Sequence, residues 1–166
     1  MSSEPETFTF AGDGSIPNSR LPVLVYHELD LARDPAAAEQ AFAANDWRGA
    51  WRNGIYPFHH FHSTAHEVLA IVAGQATVAL GGPGGHTFEV RGGDVLVLPA
   101  GTGHRNEGSS ADLLVVGAYP DGMSWDLRRG DPGEYDEVRA NIEAVPLPRT
   151  DPARGADGAL PRLWIG

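Results

Sequence analysis

The chain alternates short hydrophobic runs with clusters of glycine and proline along most of its length. Runs of roughly four to eight apolar or alternating residues between such turn residues are typical of β-strands. Many short strands in close succession predict a β-sandwich or a β-barrel. We predict nine strands, near residues 7–10, 22–28, 55–62, 67–73, 75–80, 86–91, 94–98, 103–107 and 112–119.

Two other segments have the pattern of short helices. Asp34 can cap the first, because its carboxylate can accept free backbone N–H groups, and the alanine-rich residues 36–44 follow Pro35. Asp131 is the expected cap of the second, with Glu134 completing a capping box. The apolar residues of this second helix, at approximately helical spacing, are Tyr135, Val138, Ile142 and Val145.

Two features flank these elements. Trp47 and Trp51 could rim a pocket, although packing of the first helix against the strands is the favoured interpretation. Residues 146–166 contain four prolines and predict an extended C-terminal tail that docks through its apolar end, Leu163, Trp164 and Ile165.

Composition and charge narrow the class of protein. A chain of 166 residues with 42% hydrophobic residues can bury a core, so we expect one domain over residues 1–166. The formal net charge of −10 argues against nucleic acid and anionic membrane surfaces as partners, because both repel a negative protein. Cysteine is absent from the sequence, which excludes disulfides and thiolate ligands. The polar start, MSSEPETFTF, does not resemble a signal peptide, and we expect a cytoplasmic protein.

Three histidines and one carboxylate are the candidate metal ligands. His60 and His62 are two residues apart, so on a strand both leave the same face. Glu67 begins an apolar strand, where an unpaired buried carboxylate would be costly, and His104 follows a distant Pro-Gly turn. A bound cation would neutralise the carboxylate and be ligated by neutral imidazoles. Histidines at this spacing are also often surface residues or hydrogen-bonded core residues.

Strand alternation selects Glu67 rather than His66 as the neighbour of the histidine pair. Glu67 shares a face of its strand with Leu69, whereas His66 belongs to the opposite face unless a β-bulge turns it. For His27 and His66, a structural role is favoured over a role in the functional site. The candidate pocket residues are His27, Tyr56, Phe58, His66, Leu69, Ile71 and Asn106.

Two segments resemble the conserved motifs of the cupin family. Residues 54–74 match the first motif at Gly54, His60, His62, Glu67 and Gly74, and residues 93–104 match the second at Gly93, Pro99, Gly101 and His104. The second motif, over residues 93–108, departs from the family at its end, where Gly108 replaces the usual Asn and the nearest Asn is Asn106. The segments HSTAHEV, PAGTGHRN, VVGAYPDG and DPARGADGALPRLW resemble the YjlB-like branch of bacterial cupins.

The resemblance implies an all-β fold, a cupin-type double-stranded β-helix or jelly-roll barrel, with two short peripheral helices. It also implies one divalent metal ion per chain, held by His60, His62, Glu67 and His104; Fe, Mn, Ni, Co and Zn all suit such ligands. A homodimer through the outer sheet faces is a further implication. The exterior apolar positions that the sequence offers for it are Val68, Ala70 and Val72, which the chain's own ends could equally cover.

Cupins with such a centre oxygenate, isomerise or decarboxylate small molecules. The leading interpretation is therefore a metal-dependent enzyme on a small metabolite, with the metal as Lewis acid and substrate template. The alternatives are a non-catalytic small-molecule or metal-binding protein, such as a sensor or carrier, and an ion that only braces the fold. Four protein ligands leave two positions open on a six-coordinate ion but close the shell of a tetrahedral zinc, so coordination number distinguishes these cases.

Overall fold

A computed structural model describes residues 4–165; residues 1–3 and 166, at the two ends of the predicted domain, lie outside it. The described residues form nine strands in two antiparallel sheets. The strands are β1 (Glu6–Phe8), β2 (Val23–Tyr26), β3 (Trp47–Asn53), β4 (Glu67–Ala73), β5 (Gln75–Leu80), β6 (His86–Arg91), β7 (Val95–Leu98), β8 (His104–Ser109) and β9 (Leu114–Pro120). One sheet has the order β1-β2-β7-β4-β9-β3, and the other has the order β6-β5-β8.

The inner faces of the two sheets enclose the main core. Side chains alternate along each strand, so every second residue of β4 and β7 points into this core. Leu69 and Ile71 come from the six-stranded sheet, and Val78 and Leu80 of β5 meet them from the three-stranded sheet. The other buried members are Val23, Val25, Ile55, Ala76, Val90, Leu96, Leu98 and Val115.

The outer face of the six-stranded sheet is also covered. Helix α1 (Pro35–Ala44) and the C-terminal tail pack on it, with Phe42 and Trp164 among the buried residues. Burial on both faces explains why β2, β4 and β7 are almost continuously apolar rather than alternating. The three apolar positions considered for a dimer, Val68, Ala70 and Val72, are buried in this outer cluster.

The two helices differ in how well the sequence predicted their starts. The carboxylate of Asp34 accepts the backbone N–H of Ala37 at 2.9 Å, which confirms the predicted cap of α1. The predicted cap of α2 (Tyr135–Ala144) at Asp131 is wrong: Glu134 occupies the cap position without a side-chain hydrogen bond. Gly133 has a φ of +86°, which interrupts any helix that would begin at residue 132. No helix within residues 4–165 combines the length and apolar character needed to cross a membrane.

Residues 55–62 do not form the predicted strand. Pro57 lacks a backbone donor, and the segment makes only two isolated bridges, His60 with His104 and Phe61 with Arg128. Its neighbours change along its length, so no continuous ladder forms. The strand that the sequence analysis missed lies just before it, at Trp47–Asn53.

The C-terminal tail docks, as expected, but it is not extended throughout. Asp151 and Gly155 close a short bridged turn, and Pro161–Ile165 forms one turn of π-helix. The buried carboxylate of Asp151 accepts the Tyr26 hydroxyl at 2.5 Å, and the Trp164 indole donates to the Pro22 carbonyl at 2.9 Å. These bonds attach the tail to β2 and its start.

Candidate metal centre

Two histidines and one carboxylate converge inside the fold. Glu67 begins β4, His104 begins β8, and His62 lies in the segment between β3 and β4. One ligand atom from each of the three lies within 4.8 Å of the other two. Their exposed fractions are 3%, 3% and 6%, respectively. They form a buried His–His–Glu cluster that can hold a metal ion.

Backbone pairing places His60 beside this cluster. His60 N donates to His104 O at 3.1 Å, and His104 N donates to His60 O at 2.9 Å. Residues paired in this way project their side chains to the same side, and the two ring centroids are 4.0 Å apart. The ligand atoms within 4.8 Å of one another include those of His62, Glu67 and His104 but not those of His60. A role for His60 as a fourth ligand stays a prediction.

A backbone carbonyl sets the tautomer of each of the three imidazoles. Each Nδ1 lies within hydrogen-bonding distance of a carbonyl oxygen, which can only accept, so Nδ1 carries the proton and donates it. Each Nε2 then presents a lone pair, as histidines that ligate metals do. The pairs are His60 with the carbonyl of Phe58 at 2.9 Å, His104 with that of Thr102 at 3.1 Å, and His62 with that of Asp126.

The buried Oε1 of Glu67 has no hydrogen-bond donor among the described residues. It lies 3.3 Å from Nε2 of His62 and 3.4 Å from Nε2 of His104, two atoms that present lone pairs in the neutral tautomers. Such an unpaired group costs roughly 1–3 kcal/mol, and more when it is charged. A cation would remove this cost, and two ligand atoms about 2.0–2.2 Å from a common ion have separations of this size. The residues present therefore fit a divalent metal ion.

The electrostatics of the cluster agree with this donor set. Burial, with a further contribution from His104, lowers the pKa of His60 to about 3, so its ring is neutral at pH 7. Burial alone would raise the pKa of the Glu67 carboxyl, but His104 and His62 outweigh it and hold the pKa below its usual value. Burial likewise opposes the charged form of His62, but Glu67 outweighs it and raises the His62 pKa. Without a metal ion, a proton on His62 can therefore pair with the Glu67 carboxylate. With a metal ion bound, the ion takes the place of that proton.

Two comparisons identify the family. The family model for cupins matches residues 48–120, which include the cluster and His60. Over 166 residues the chain is 36% identical to the uncharacterized protein YjlB of Bacillus subtilis (strain 168), with 99% of each chain covered. The chain belongs to the cupin family, in its YjlB branch. The family and the all-β fold that the two motifs predicted are thereby confirmed.

Solved structures similar to this cupin share less of its sequence. A DUF861 family protein of Thermotoga maritima is 15% identical, with a TM-score of 0.35 and with 58% of this chain and 96% of that chain covered. The oxalate decarboxylase of Lactobacillus farciminis, a formate complex, is 17% identical with a TM-score of 0.40, covering 86% of this chain and 41% of that one. The oxalate decarboxylase of Bacillus subtilis is 16% identical with a TM-score of 0.39, covering 80% of this chain and 36% of that one. This cupin thus spans less than half the length of either decarboxylase.

A cavity of about 500 Å³ opens onto the cluster. All four predicted ligands of this cupin line it, as do two of the predicted pocket residues, Tyr56 and Leu69. The other lining residues are Gly49, Trp51, Asn53, Gly54, Ile55, Pro57, Tyr119 and Trp125.

Three other predicted pocket residues, Phe58, Ile71 and Asn106, do not line this cavity. Phe58 stacks on Tyr56 with ring centroids 5.0 Å apart, so it supports the cavity wall from behind. Ile71 is part of the core between the sheets. The side chain of Asn106 on β8 donates to the Ser109 hydroxyl and accepts the backbone N–H of Gly108, which holds the local turn of the strand.

The remaining two predicted pocket residues, His27 and His66, also do not line this cavity. The side chain of His27 is 47% exposed and contacts Glu6 at 2.6 Å and Asp94 at 3.1 Å.

His66 is buried on the opposite side of the chain from Glu67, as the alternation of β4 predicts. Its Nδ1 accepts the backbone N–H of Ala100 at 2.9 Å, and its Nε2 donates to the carbonyl of Pro146 at 3.2 Å. Burial lowers the pKa of His66 to about 4, so it is neutral at pH 7. Both of its ring nitrogens are used in holding the Pro-Ala-Gly turn and the start of the tail.

A β-bulge directs Trp51 into the cavity. Arg48 pairs with Tyr119, but Trp51 pairs with Gly117, so β3 carries one residue more than β9 between these pairs. Gly49, inside the bulge, has a φ of +70°, a conformation that favours glycine. Without the bulge, Trp51 would share a face with the tryptophan at the start of β3, which packs on the outer face with α1.

Tyr119 and Trp125 are site residues that the sequence analysis missed. The Trp51 indole donates to the Tyr119 hydroxyl at 2.7 Å. Burial, followed by the nearby Glu67 carboxylate, raises the pKa of Tyr119, so the hydroxyl keeps its proton. Trp125 lies in the segment after β9 and packs on His62 with ring centroids 5.2 Å apart. Neither residue lies in the two cupin motifs; Tyr119 lies in the VVGAYPDG segment, which indicated the YjlB branch but gave no role for this side chain.

The segment that carries Trp125 also holds His62. The backbone carbonyl of Asp126 accepts the Nδ1–H of His62, while its carboxylate accepts Ser63 N at 2.6 Å and Arg128 Nε at 2.7 Å. Phe61 and Arg128 exchange backbone hydrogen bonds at 2.9 and 3.0 Å. This segment therefore fixes the orientation of one imidazole of the cluster.

Proposed function

We propose that this cupin binds one divalent metal ion per chain through His60, His62, Glu67 and His104, and that it is a metal-dependent enzyme acting on a small metabolite. The observation that supports the proposal best is the buried Oε1 of Glu67, which faces two Nε2 lone pairs. Fe, Mn, Ni, Co and Zn all suit this donor set. The reaction would be of the dioxygenase, isomerase or decarboxylase type.

When bound, such an ion supplies Lewis acidity and a template for two substrate oxygens. The residues of the chain have separate tasks around it. Backbone carbonyls orient the imidazoles, and Tyr119 holds a proton beside Glu67. Ile55 and Leu69 give the cavity apolar walls that displace water from a bound ligand.

A non-catalytic sensor or carrier, or a purely structural ion, is the alternative. An ion that only braces a fold has a closed ligand shell. All four proposed ligands instead line a cavity of about 500 Å³, which favours a site that receives a small molecule. A homodimer is also proposed; it would use surfaces other than the outer face of β4, and sedimentation velocity would test it.

Elemental analysis of the protein purified without added metal tests the metal centre. The wild type should contain one divalent ion per chain, and His62→Ala and His104→Ala should each lose most of it. His86→Ala is the matched control, because His86 is exposed on β6 away from the cavity. Circular dichroism confirms that each variant is folded. Unchanged metal content in both cluster variants would disprove the site.

The enzymatic part needs a separate measurement. Small molecules that co-purify with the protein can be identified by mass spectrometry and returned to the metal-loaded protein. Conversion of the molecule supports the enzyme, whereas its recovery unchanged with and without dioxygen supports the carrier.

A further inference from the structure

Two aromatic side chains at the cavity are exposed, whereas the proposed ligands beside them are buried. Tyr56 is 47% exposed and Trp125 is 45% exposed, although both line the cavity. Each makes edge contact with one imidazole, Tyr56 with His60 and Trp125 with His62, both at 5.2 Å between ring centroids. Large apolar surface left open in a concave site marks the place that a ligand covers.

Other rings hold both aromatic side chains in place. Trp125 stacks on Tyr119 with centroids 6.1 Å apart and planes 21° apart, and the Tyr119 hydroxyl is bonded to Trp51. Tyr56 stacks on Phe58 with centroids 5.0 Å apart and planes 17° apart. The cavity therefore has two supported aromatic walls beside the metal cluster. Such walls favour a ligand with a flat, conjugated face, and their support reduces the entropy cost of binding it.

The charges around the cavity restrict the ligand further. Among the described residues that line it, there is no lysine and no arginine. The arginines next to its rim have other contacts: Arg105 Nε donates to the carbonyl of Pro57, and the Arg129 guanidinium lies 3.9 Å from the centroid of the Phe58 ring. Because Glu67 already contributes one negative charge to the ion, a dianion such as oxalate would leave an excess negative charge at the centre that no lining side chain compensates, which is costly in a buried site. A two-carbon dianion would also leave most of the cavity of about 500 Å³ filled with water.

We propose that the ligand class of this cavity is a planar, conjugated molecule with two adjacent oxygen atoms and no more than one negative charge, of the kind represented by a catechol. This inference rests on the proposed function, because the two oxygens would bind the metal ion. The ring would lie against Trp125 and Tyr56 and cover their exposed faces.

Isothermal titration calorimetry of the metal-loaded protein with 4-nitrocatechol and with oxalate tests the inference. We expect saturable binding of 4-nitrocatechol and at least about ten-fold weaker binding of oxalate. Trp125→Leu should weaken 4-nitrocatechol by about ten-fold, and Trp125→Phe, which keeps a ring, should weaken it less. Ile165→Ala removes exposed apolar surface outside the cavity and should have no effect. Metal content is measured after each titration, so that removal of the ion is not mistaken for binding.

The outcomes distinguish the ligand class from the metal centre. Oxalate that binds as tightly as 4-nitrocatechol, or a Trp125→Leu variant with unchanged affinity, would overturn the ligand class while the measured metal content leaves the centre intact. A wild-type protein that holds no metal would overturn both.

Discussion

The indole of Trp51 lies directly against the backbone of Gly117: a Cβ on this glycine would stand 2.2 Å from Cζ2 of the ring. The two residues are register partners on β3 and β9. The absent side chain leaves the space that the bulge-directed tryptophan fills. Because the same indole donates to Tyr119, the contact with Gly117 sets the position of one cavity wall.

Gly117→Ala should displace Trp51 and break its hydrogen bond to Tyr119. Overpacking of this kind costs roughly 1–3 kcal/mol, which urea denaturation would measure as a loss in the free energy of unfolding. Gly84→Ala is the matched control, since a Cβ there would meet no atom within 4 Å, and its stability should not fall. Equal stability of the two variants would contradict the packing described.

Glu67→Gln should separate metal binding from folding. In metal-free protein a proton on His62 can pair with the Glu67 carboxylate, and the neutral amide loses this ion pair, so the free energy of unfolding should fall. In wild-type protein, a metal at about 100 times its Kd adds about 2.7 kcal/mol, and the variant should lose most of this gain with the ligand charge. Calorimetric melting with metal and with a chelator measures both effects. A metal-dependent rise in Tm of the same size in both proteins would exclude Glu67 as a ligand.

Asp126→Ala should weaken metal binding although Asp126 uses only its backbone carbonyl to contact a proposed ligand. Its carboxylate anchors the segment by accepting from Ser63 and Arg128, so its loss lets the acceptor of the His62 Nδ1–H move. Loss of such a supporting contact typically costs about 10–100-fold in metal affinity. Competition with a metal chelator measures the affinity. Asp136→Ala, an exposed aspartate on α2, is the control, and an equal affinity in both variants would argue against the anchoring role.

The ion pairs of His27 should make stability depend on pH. Burial lowers the pKa of His27, but hydrogen bonds to Glu6 and Asp94 outweigh it, so the pKa in the folded protein is raised. The stabilisation is therefore fully present below the unfolded pKa of about 6.5 and is lost as pH rises through the folded pKa. Because the side chain is 47% exposed, solvent screening limits the effect to roughly 0.5 kcal/mol.

Urea denaturation of the wild type and His27→Gln at two pH values measures this contribution. The stability advantage of the wild type should be larger near pH 6 than near pH 8.5. His86→Gln serves as the control for an exposed histidine without these carboxylate partners. An advantage that grows as pH rises would contradict the assignment.

Local periodicity was sufficient for much of the fold. The alternation along β4 placed Glu67 with Leu69 on the inner side and His66 on the other, because a period of two is a property of the strand itself. The start of α1 was also predictable from local sequence, because Asp34 caps and Pro35 begins the helix through the backbone next to them. The spacing within the two motifs identified the family and the candidate ligands before any contact was known.

Only the tertiary structure decided which residues meet from separate segments. Residues 55–62 have a strand-like pattern, but their backbone partners change from β8 to the segment after β9, so no ladder forms. The bulge in β3 directs Trp51 into the cavity, and Asp126, 64 residues after His62, supplies the acceptor that fixes its tautomer. The hydrophobic pattern of one segment indicates which of its faces is buried. Its hydrogen-bond partners depend on how distant segments pack, which is why the cluster was predictable and the cavity around it was not.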